Sequence, residues 1–210
     1  MLMSTKIKVL LVEDHYMARV ALRSILSDKT DVSIVAETDN GQEAVQLYAK
    51  LRPDVTVMDL GLPGTDGFEA ITAIRQLNRT AKIVVLTNYD GSEDVYRALR
   101  NGAMAYLTKD VSGQELVHAI VTTHQGNRYL PRAMRDRLAE RIPCSELTPR
   151  EEQVLKLISA GCSNQEIATK LTIAEKTVRI HVSSVLEKLG ARDRTQAAIY
   201  AIQRGFVHLE

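Results

Sequence analysis

The feature that most constrains this chain is a fivefold alternation in its first half. Short, continuously apolar runs recur at residues 9–12, 32–36, 55–58, 83–86 and 105–107. Stretches with apolar residues at helical spacing follow each run, at 17–26, 42–50, 68–77, 93–100 and 114–124. A strand with one wet face alternates apolar and polar residues. A continuous run such as Val9-Leu10-Leu11-Val12 needs cover on both faces. Five such strand–helix units predict an α/β fold, a doubly wound five-stranded parallel sheet. Ligands of such sheets bind beyond the carboxyl ends of the strands.

The second half carries no strand pattern. Residues 131–141 read as a charged connecting helix, and 142–145 as the boundary that follows it. Thr148-Pro149-Arg150-Glu151 is a capping box with proline at the first helical position, and Ser163-Asn164-Gln165-Glu166 is a second box. Gly161, Gly190 and Gly205 stand where helices should stop. The prediction is an all-α four-helix unit. The organisation expected is therefore an α/β domain over 6–125, a connector over 126–144 and the helical domain over 145–208.

Charge separates the same halves. The net charge of +1 is made of −3 over residues 1–125 and +4 over 126–210. A basic second half is a nucleic-acid candidate. No apolar run approaches the ~20 residues that a membrane span needs. The N-terminus does not read as a signal peptide, so a cytoplasmic protein is expected, with no membrane partner. Cys144 and Cys162 form neither a CxxC pair nor a cysteine–histidine ladder, which predicts two thiols and no zinc site.

The chemistry stands at the strand ends. Glu13 and Asp14 follow the first run, Asp59 the third, Thr87 the fourth, and Lys109 comes just after the fifth. The strand pattern gathers them in one crevice. Three carboxylates brought close repel one another, and a hard divalent cation such as Mg²⁺ (or Mn²⁺) relieves this. Lys109 supplies a point charge for a phosphoryl oxygen and Thr87 a hydroxyl donor.

These residues, together with Asp59-Leu60-Gly61-Leu62-Pro63-Gly64 and Tyr106, resemble the receiver domain of bacterial response regulators over roughly residues 6–125. The resemblance implies that Asp59 accepts a phosphoryl group from a sensor histidine kinase. It implies that Glu13, Asp14, Asp59 and the backbone carbonyl of Gly61 hold Mg²⁺. Lys109 and Thr87 would bind the phosphoryl oxygens, and Tyr106 would be the aromatic switch. In this family the residues two after the acceptor and two after the threonine tune the lifetime of the phosphoryl group; here they are Gly61 and Tyr89. The chain departs from the family's common pattern at Asp110, where proline often follows the lysine, and at Leu62, where methionine is common.

Enzyme readings fail on particular residues. A haloacid-dehalogenase-type phosphatase wants a second carboxylate two residues after the nucleophile, and position 61 is glycine. No GxxxxGK[ST] loop is present for a P-loop enzyme. Self-phosphorylation from a donor and self-dephosphorylation, both dependent on Mg²⁺, are the catalysis the resemblance implies.

In the basic half, residues 175–189 form a helical pattern with Val178, Val182, Val185 and Leu189 on one face. Lys176, Arg179, Ile180, Ser183 and Glu187 point the other way. A shorter helix, 164–171, precedes it across the tight turn Thr172-Ile173-Ala174, which is helix-turn-helix geometry with the second helix as reader. Leu147-Thr148-Pro149-Arg150-Glu151, the run from Gly161 to Ala168 and Lys176-Thr177-Val178-Arg179-Ile180-His181-Val182 are similar to the LuxR-type DNA-binding domain. With a receiver in front, the chain is identified as a member of the NarL/FixJ family. The resemblance implies that Arg179, Ile180 and Ser183 face bases, and that Thr177, His181 and Lys188 lie near the DNA backbone or a partner; Lys176, on the same outward face, is a further DNA-binding donor suited to phosphates or base edges.

The function expected is a phosphorylation-switched transcription regulator acting on a double-stranded DNA operator. The alternative is a receiver-controlled switch that docks a protein instead. A single reader helix covers few base pairs, so a homodimer formed on phosphorylation is expected. The small residues Ala197, Ala198 and Ala201 are the candidate stripe for pairing two DNA-binding domains. The resemblance leaves room for RNA polymerase as a further partner.

Overall fold

The computed structural model describes residues 6–27, 31–64, 66–139 and 147–208. The elements are β1 (Ile7–Val12), α1 (Tyr16–Ser27), β2 (Val32–Thr38), α2 (Gly41–Leu51), β3 (Val55–Met58), α3 (Gly67–Leu77), β4 (Ile83–Thr87), α4 (Ser92–Asn101), β5 (Ala105–Thr108) and α5 (Gly113–His124). There follow α6 (Arg132–Ala139), α7 (Pro149–Ser159), α8 (Asn164–Leu171), α9 (Glu175–Leu189) and α10 (Arg194–Gln203). The chain divides into two compact units, one built on the sheet and one on the last four helices.

In the first unit the five strands are all parallel, in the order β2-β1-β3-β4-β5. Strand order reverses beside β1, so β1 and β3 flank the point where a doubly wound sheet opens its binding crevice. One face packs Val9, Leu11, Val57, Val84, Leu86 and Leu107 against Leu22 and Leu26 of α1 and Leu116, Ala119 and Ile120 of α5. Leu10, Met58 and Val85 alternate to the opposite face and are just as buried. Cover on both faces is why these strands read as unbroken apolar runs. Each fully buried aliphatic side chain contributes about 1.5–3 kcal/mol, so a chain without tryptophan still builds a core.

The helices α2, α3 and α5 are started by side-chain caps. Asn40 accepts from the amides of Gln42 and Glu43, Asp66 from Phe68, and Ser112 from Glu115. Each cap is followed by a glycine as the first helical residue, at 41, 67 and 113.

The helical unit is held by two apolar clusters. Leu155, Val185, Leu189, Ala197 and Ala201 form one, and Val154, Ile158, Cys162, Ile167 and Val178 the other. Cys162 is a buried free thiol, and Cys144 lies outside the described residues. Both capping boxes form in full at Thr148 and Ser163. α8 ends at Thr172 in the left-handed region, φ 55°, and the chain turns there into α9. The expectation that an alanine stripe on the last helix pairs two domains is corrected. Ala197 and Ala201 are fully buried in their own bundle, and Ala198 packs on the second cluster. The helix needs small residues there to approach α7 and α9 closely.

Glu151 ties this bundle together. Its carboxylate accepts the Thr148 amide at 2.7 Å, the Ser184 hydroxyl at 2.6 Å and the Lys188 ammonium at 2.7 Å. Burial pushes its pKa up, but the bonds from Lys188, Ser184 and Thr148 outweigh this and bring it to about 2. A value held below the ordinary carboxylate range favours the folded state above that range and loses this as pH falls through about 2. We expect Glu151→Gln to cost about 2 kcal/mol at neutral pH. The gap to the parent should close as pH falls from the ordinary value of 4.5 toward 2. Urea unfolding from neutral pH down to about 2 measures both.

Candidate functional site

The ladders of the sheet run one residue past the strand ends and set the crevice. The Glu13 amide donates to the Thr38 carbonyl at 3.0 Å, the Asp59 amide to Val12 at 3.0 Å, and the Lys109 amide to Thr87 at 2.9 Å. These bonds bring Glu13, Asp59 and Lys109 together from β1, β3 and β5. Lys109 Nζ sits 2.7 Å from Asp59 Oδ2 and 2.8 Å from Glu13. Glu13, Asp59 and Thr87 are 1%, 4% and 1% exposed, so this charge cluster is screened little by water. The Lys109–Asp110 peptide is trans.

Electrostatics follow from that burial. Desolvation pushes the Glu13 carboxyl above its usual value, and the Asp59 charge adds to this, while Lys109 offsets part of it. Burial pulls the Lys109 ammonium down, but its bonds to Asp59 and Glu13 reverse the shift and raise it. One cation thus serves two buried carboxylates.

Asp14 lies at the wetter rim. Its Oδ1 is 3.2 Å from Nδ1 of His15, and Glu13, Asp14 and His15 offer ligand atoms that all lie within 4.8 Å of one another. Sequence reasoning passed over His15, whose only signal was its place next to Asp14. It also passed over Arg19, which donates to the carbonyls of Glu13 and Asp14 and ties the first turn of α1 to the acidic loop. Glu13, Asp14 and Asp59 supply oxygen donors with one ammonium between two of them. An oxygen set short of positive charge fits a hard divalent cation.

Two glycines shape the surroundings of Asp59. The Gly61 amide donates to Asp59 Oδ1 at 3.2 Å. A Cβ at Gly67 would stand 2.3 Å from the Asp59 carbonyl oxygen, so α3 can begin against the end of β3 only with glycine there. Above Gly61 lies Tyr89, whose hydroxyl would be 3.1 Å from a Cβ at that position. The Tyr89 amide reaches Thr87 Oγ1 at 3.4 Å. Tyr106 is fully buried and donates from Oη to the Tyr89 carbonyl at 2.9 Å. Thr87, Tyr89 and Tyr106 are therefore linked through one loop.

On α9 the structure divides the remaining residues singled out by sequence. Lys176, Arg179, Ile180 and Ser183 are exposed, Ile180 at 63%. Thr177 and His181 are half-buried on its flanks. Lys188 is turned inward onto Glu151, with 20% of its side chain exposed.

Known proteins share this plan. Residues 9–121 match the response regulator receiver domain, and 145–201 match the bacterial regulatory proteins of the luxR family. The response regulator protein VraR of Staphylococcus epidermidis is 41% identical over 206 residues, which are 96% of this chain and 99% of that one. VraR of Staphylococcus saprophyticus is 40% identical over the same length. Among solved structures, the response regulator ChrA of a heme-sensing two-component system is 36% identical with a TM-score of 0.58, covering 96% of this chain and 99% of that one. The response regulator RcsB in complex with DNA is 26% identical with a TM-score of 0.68, covering 93% and 98%. The chain belongs to the response regulators and carries a receiver domain followed by a LuxR-type DNA-binding domain.

Removing the shared cation tests the electrostatics. Lys109→Met should destabilise the protein at neutral pH by about 3 kcal/mol, because two buried carboxylates lose their partner. Glu13 should then titrate higher still. A raised carboxyl favours the folded state once it is protonated, so the deficit should narrow as pH falls through the Glu13 value. Urea unfolding across pH reads this out.

Proposed function

We propose that this chain is a phosphorylation-switched transcription regulator in which Asp59 is the phosphoacceptor and a sensor histidine kinase the donor. The observation that carries the reading is Lys109 held between buried Asp59 and Glu13, at the carboxyl ends of β1, β3 and β5. In the proposed step an Asp59 carboxylate oxygen forms a bond to phosphorus as the bond from phosphorus to the kinase histidine nitrogen breaks. Lys109 then follows the new phosphoryl oxygens, and the Thr87 hydroxyl donates to another. Glu13, Asp14, Asp59 and the Gly61 carbonyl are the residues that would hold Mg²⁺ or Mn²⁺, which neutralises charge on the transferring group. The phosphoryl group adds about −1.5 to −2 charges beside Lys109. Drawing Thr87 toward it moves the loop that also holds Tyr106, and this is the route by which the switch leaves the crevice.

The output is DNA binding through the domain spanning 145–208, joined by the connector 126–144 to a receiver spanning 6–125. RcsB was solved with DNA, and the shared plan supports α9 as the element that enters the major groove. Arg179, Ile180 and Ser183 are the base-facing residues in this reading, with Lys176, Thr177 and His181 at the flanks. Lys188 reaches a phosphate only by leaving Glu151. Phosphorylation promotes a homodimer that reads two half-sites, and effective concentration then multiplies a modest affinity by about 10²–10⁴. The regulator works in the cytoplasm, with RNA polymerase as its further partner at the promoter.

Intact-mass measurement with a small phosphodonor should show one added phosphoryl group in the presence of Mg²⁺. It should show none with EDTA and none in Asp59→Asn. Labelling that persists in the variant would place the acceptor elsewhere.

The lifetime of the signal depends on water reaching phosphorus. Gly61 has no side chain to orient a water, and Tyr89 covers the same side of the acceptor. Gly61→Asn combined with Tyr89→Glu should speed dephosphorylation severalfold, followed by mass after the donor is removed. An unchanged or slower decay would show that these positions do not set the timer.

A further inference from the structure

We propose that Glu175 is a specificity-determining residue of the reader helix. It holds the Arg179 guanidinium by one edge, so that the other edge is presented to a guanine and indiscriminate phosphate contacts are suppressed. The inference rests on reading α9 as the DNA-reading helix.

Glu175 is the first residue of α9, and Ala174 before it makes no side-chain cap. Its Oε1 accepts from Arg179 Nη2 at 2.7 Å and from Nε at 3.3 Å. The carboxylate lies four residues before the cation, the favourable order on a helix. Both side chains are exposed, at 43% and 68%. Such pairs add little to stability, so this pair has its consequence in what Arg179 can touch.

A guanidinium is a flat, rigid fork with five N–H groups. The Nε and Nη2 hydrogens make one two-donor edge, and the outward hydrogens of Nη1 and Nη2 make a second. Glu175 takes the first, and the second points away from it. Guanine presents O6 and N7 as two neighbouring acceptors in the major groove. The second edge matches them while Glu175 stays in place. No bond need be broken to read guanine, and the freedom of the arginine is already restricted before DNA arrives.

A phosphate meets a different situation. The Arg179 charge is already matched by a carboxylate, which repels phosphate oxygens. Arg179 then adds little to the counterion release that drives binding to any sequence. The base-facing residue is selective because its charge is spent and its geometry is kept. A bare negative charge at the helix N-terminus would be favourable with the helix dipole, but that role would leave sequence preference untouched.

The test uses the full-length protein, phosphorylated with a small phosphodonor, and a library of random-sequence duplexes. The parent, Glu175→Gln, Arg179→Ala and the double variant are each selected on the library and sequenced. Affinities are then measured on the parent's preferred duplex and on a scrambled duplex over a range of salt. Glu175→Gln should bind the scrambled duplex about three- to tenfold more tightly, with a salt slope steeper by about one. Its guanine preference should fall at the position that Arg179→Ala also loses. The double variant should behave as Arg179→Ala alone, since Glu175 acts through Arg179. If Glu175→Gln keeps the parent's preference and salt slope while Arg179→Ala loses a base preference, the inference is wrong and the reading of α9 stands. If Arg179→Ala keeps every base preference, the reading of α9 fails and the inference falls with it.

Discussion

The ammonium of Lys109 is the contact on which the rest of the receiver depends. Glu13 comes from β1, Asp59 from β3 and Lys109 from the loop after β5, so one cation ties three strand ends. Without it, parallel strands in this order would deliver buried carboxylates to one place with nothing between them. The arrangement stores a specific kind of readiness. Positive charge already stands at Asp59, shared between two carboxylates, and in the proposed function it would be available to a third set of oxygens. Arg19 fixes the acidic loop from below, and Gly67 lets α3 close against the back of Asp59. The crevice is shaped by residues whose own chemistry is inert.

Most of this fold was legible because it rests on unbroken apolar runs and on a helical period of 3.6. The apolar runs marked all five strands, and the strand ends marked Glu13, Asp59, Thr87 and Lys109. The differences are small. Helices α1 to α5 each begin one residue earlier than the apolar pattern suggested, because Gly41, Gly67 and Gly113 carry no side chain to register in it and Tyr16 and Ser92 fall outside the apolar spacing. Strands β1, β2, β4 and β5 run further than their apolar cores, into polar residues such as Thr38, Thr87 and Thr108, since ladder bonds need backbone and not side chain. What the sequence could not disclose were contacts between distant residues. Nothing near Tyr106 announces that its hydroxyl will find the Tyr89 carbonyl, whereas Tyr89 over Gly61 was foreshadowed only by the family resemblance that pairs these two positions.

The helical unit makes the same point with Glu151. Its capping box is a local signal and was readable. Its second task was not, because Ser184 and Lys188 lie more than thirty residues away on another helix. Lys188, expected near the DNA backbone or a partner, is paired in the structure with the carboxylate of Glu151 in the first turn of α7. A lysine on a basic helix is read from sequence as a surface charge, whereas the packing of α9 on α7 turns this one inward. Ala197 and Ala201 show the converse. A small-residue stripe invites a partner on paper, yet here it is the space that the bundle needs for itself.

Tyr89 meets two demands with different parts of itself. Its ring and hydroxyl stand over Gly61, while its backbone carbonyl receives Tyr106. Every amino acid has that carbonyl, but only the side chain can be exchanged by mutation. In the proposed switch, how long the signal persists and how it is passed on would thus be separately heritable, even though both run through one residue. On that proposal, a lineage of such proteins would drift from quick to slow responses by changing position 89, with no rebuilding of the bond to Tyr106. Diversity of tempo among proteins with one shared switch is the outcome such a division permits.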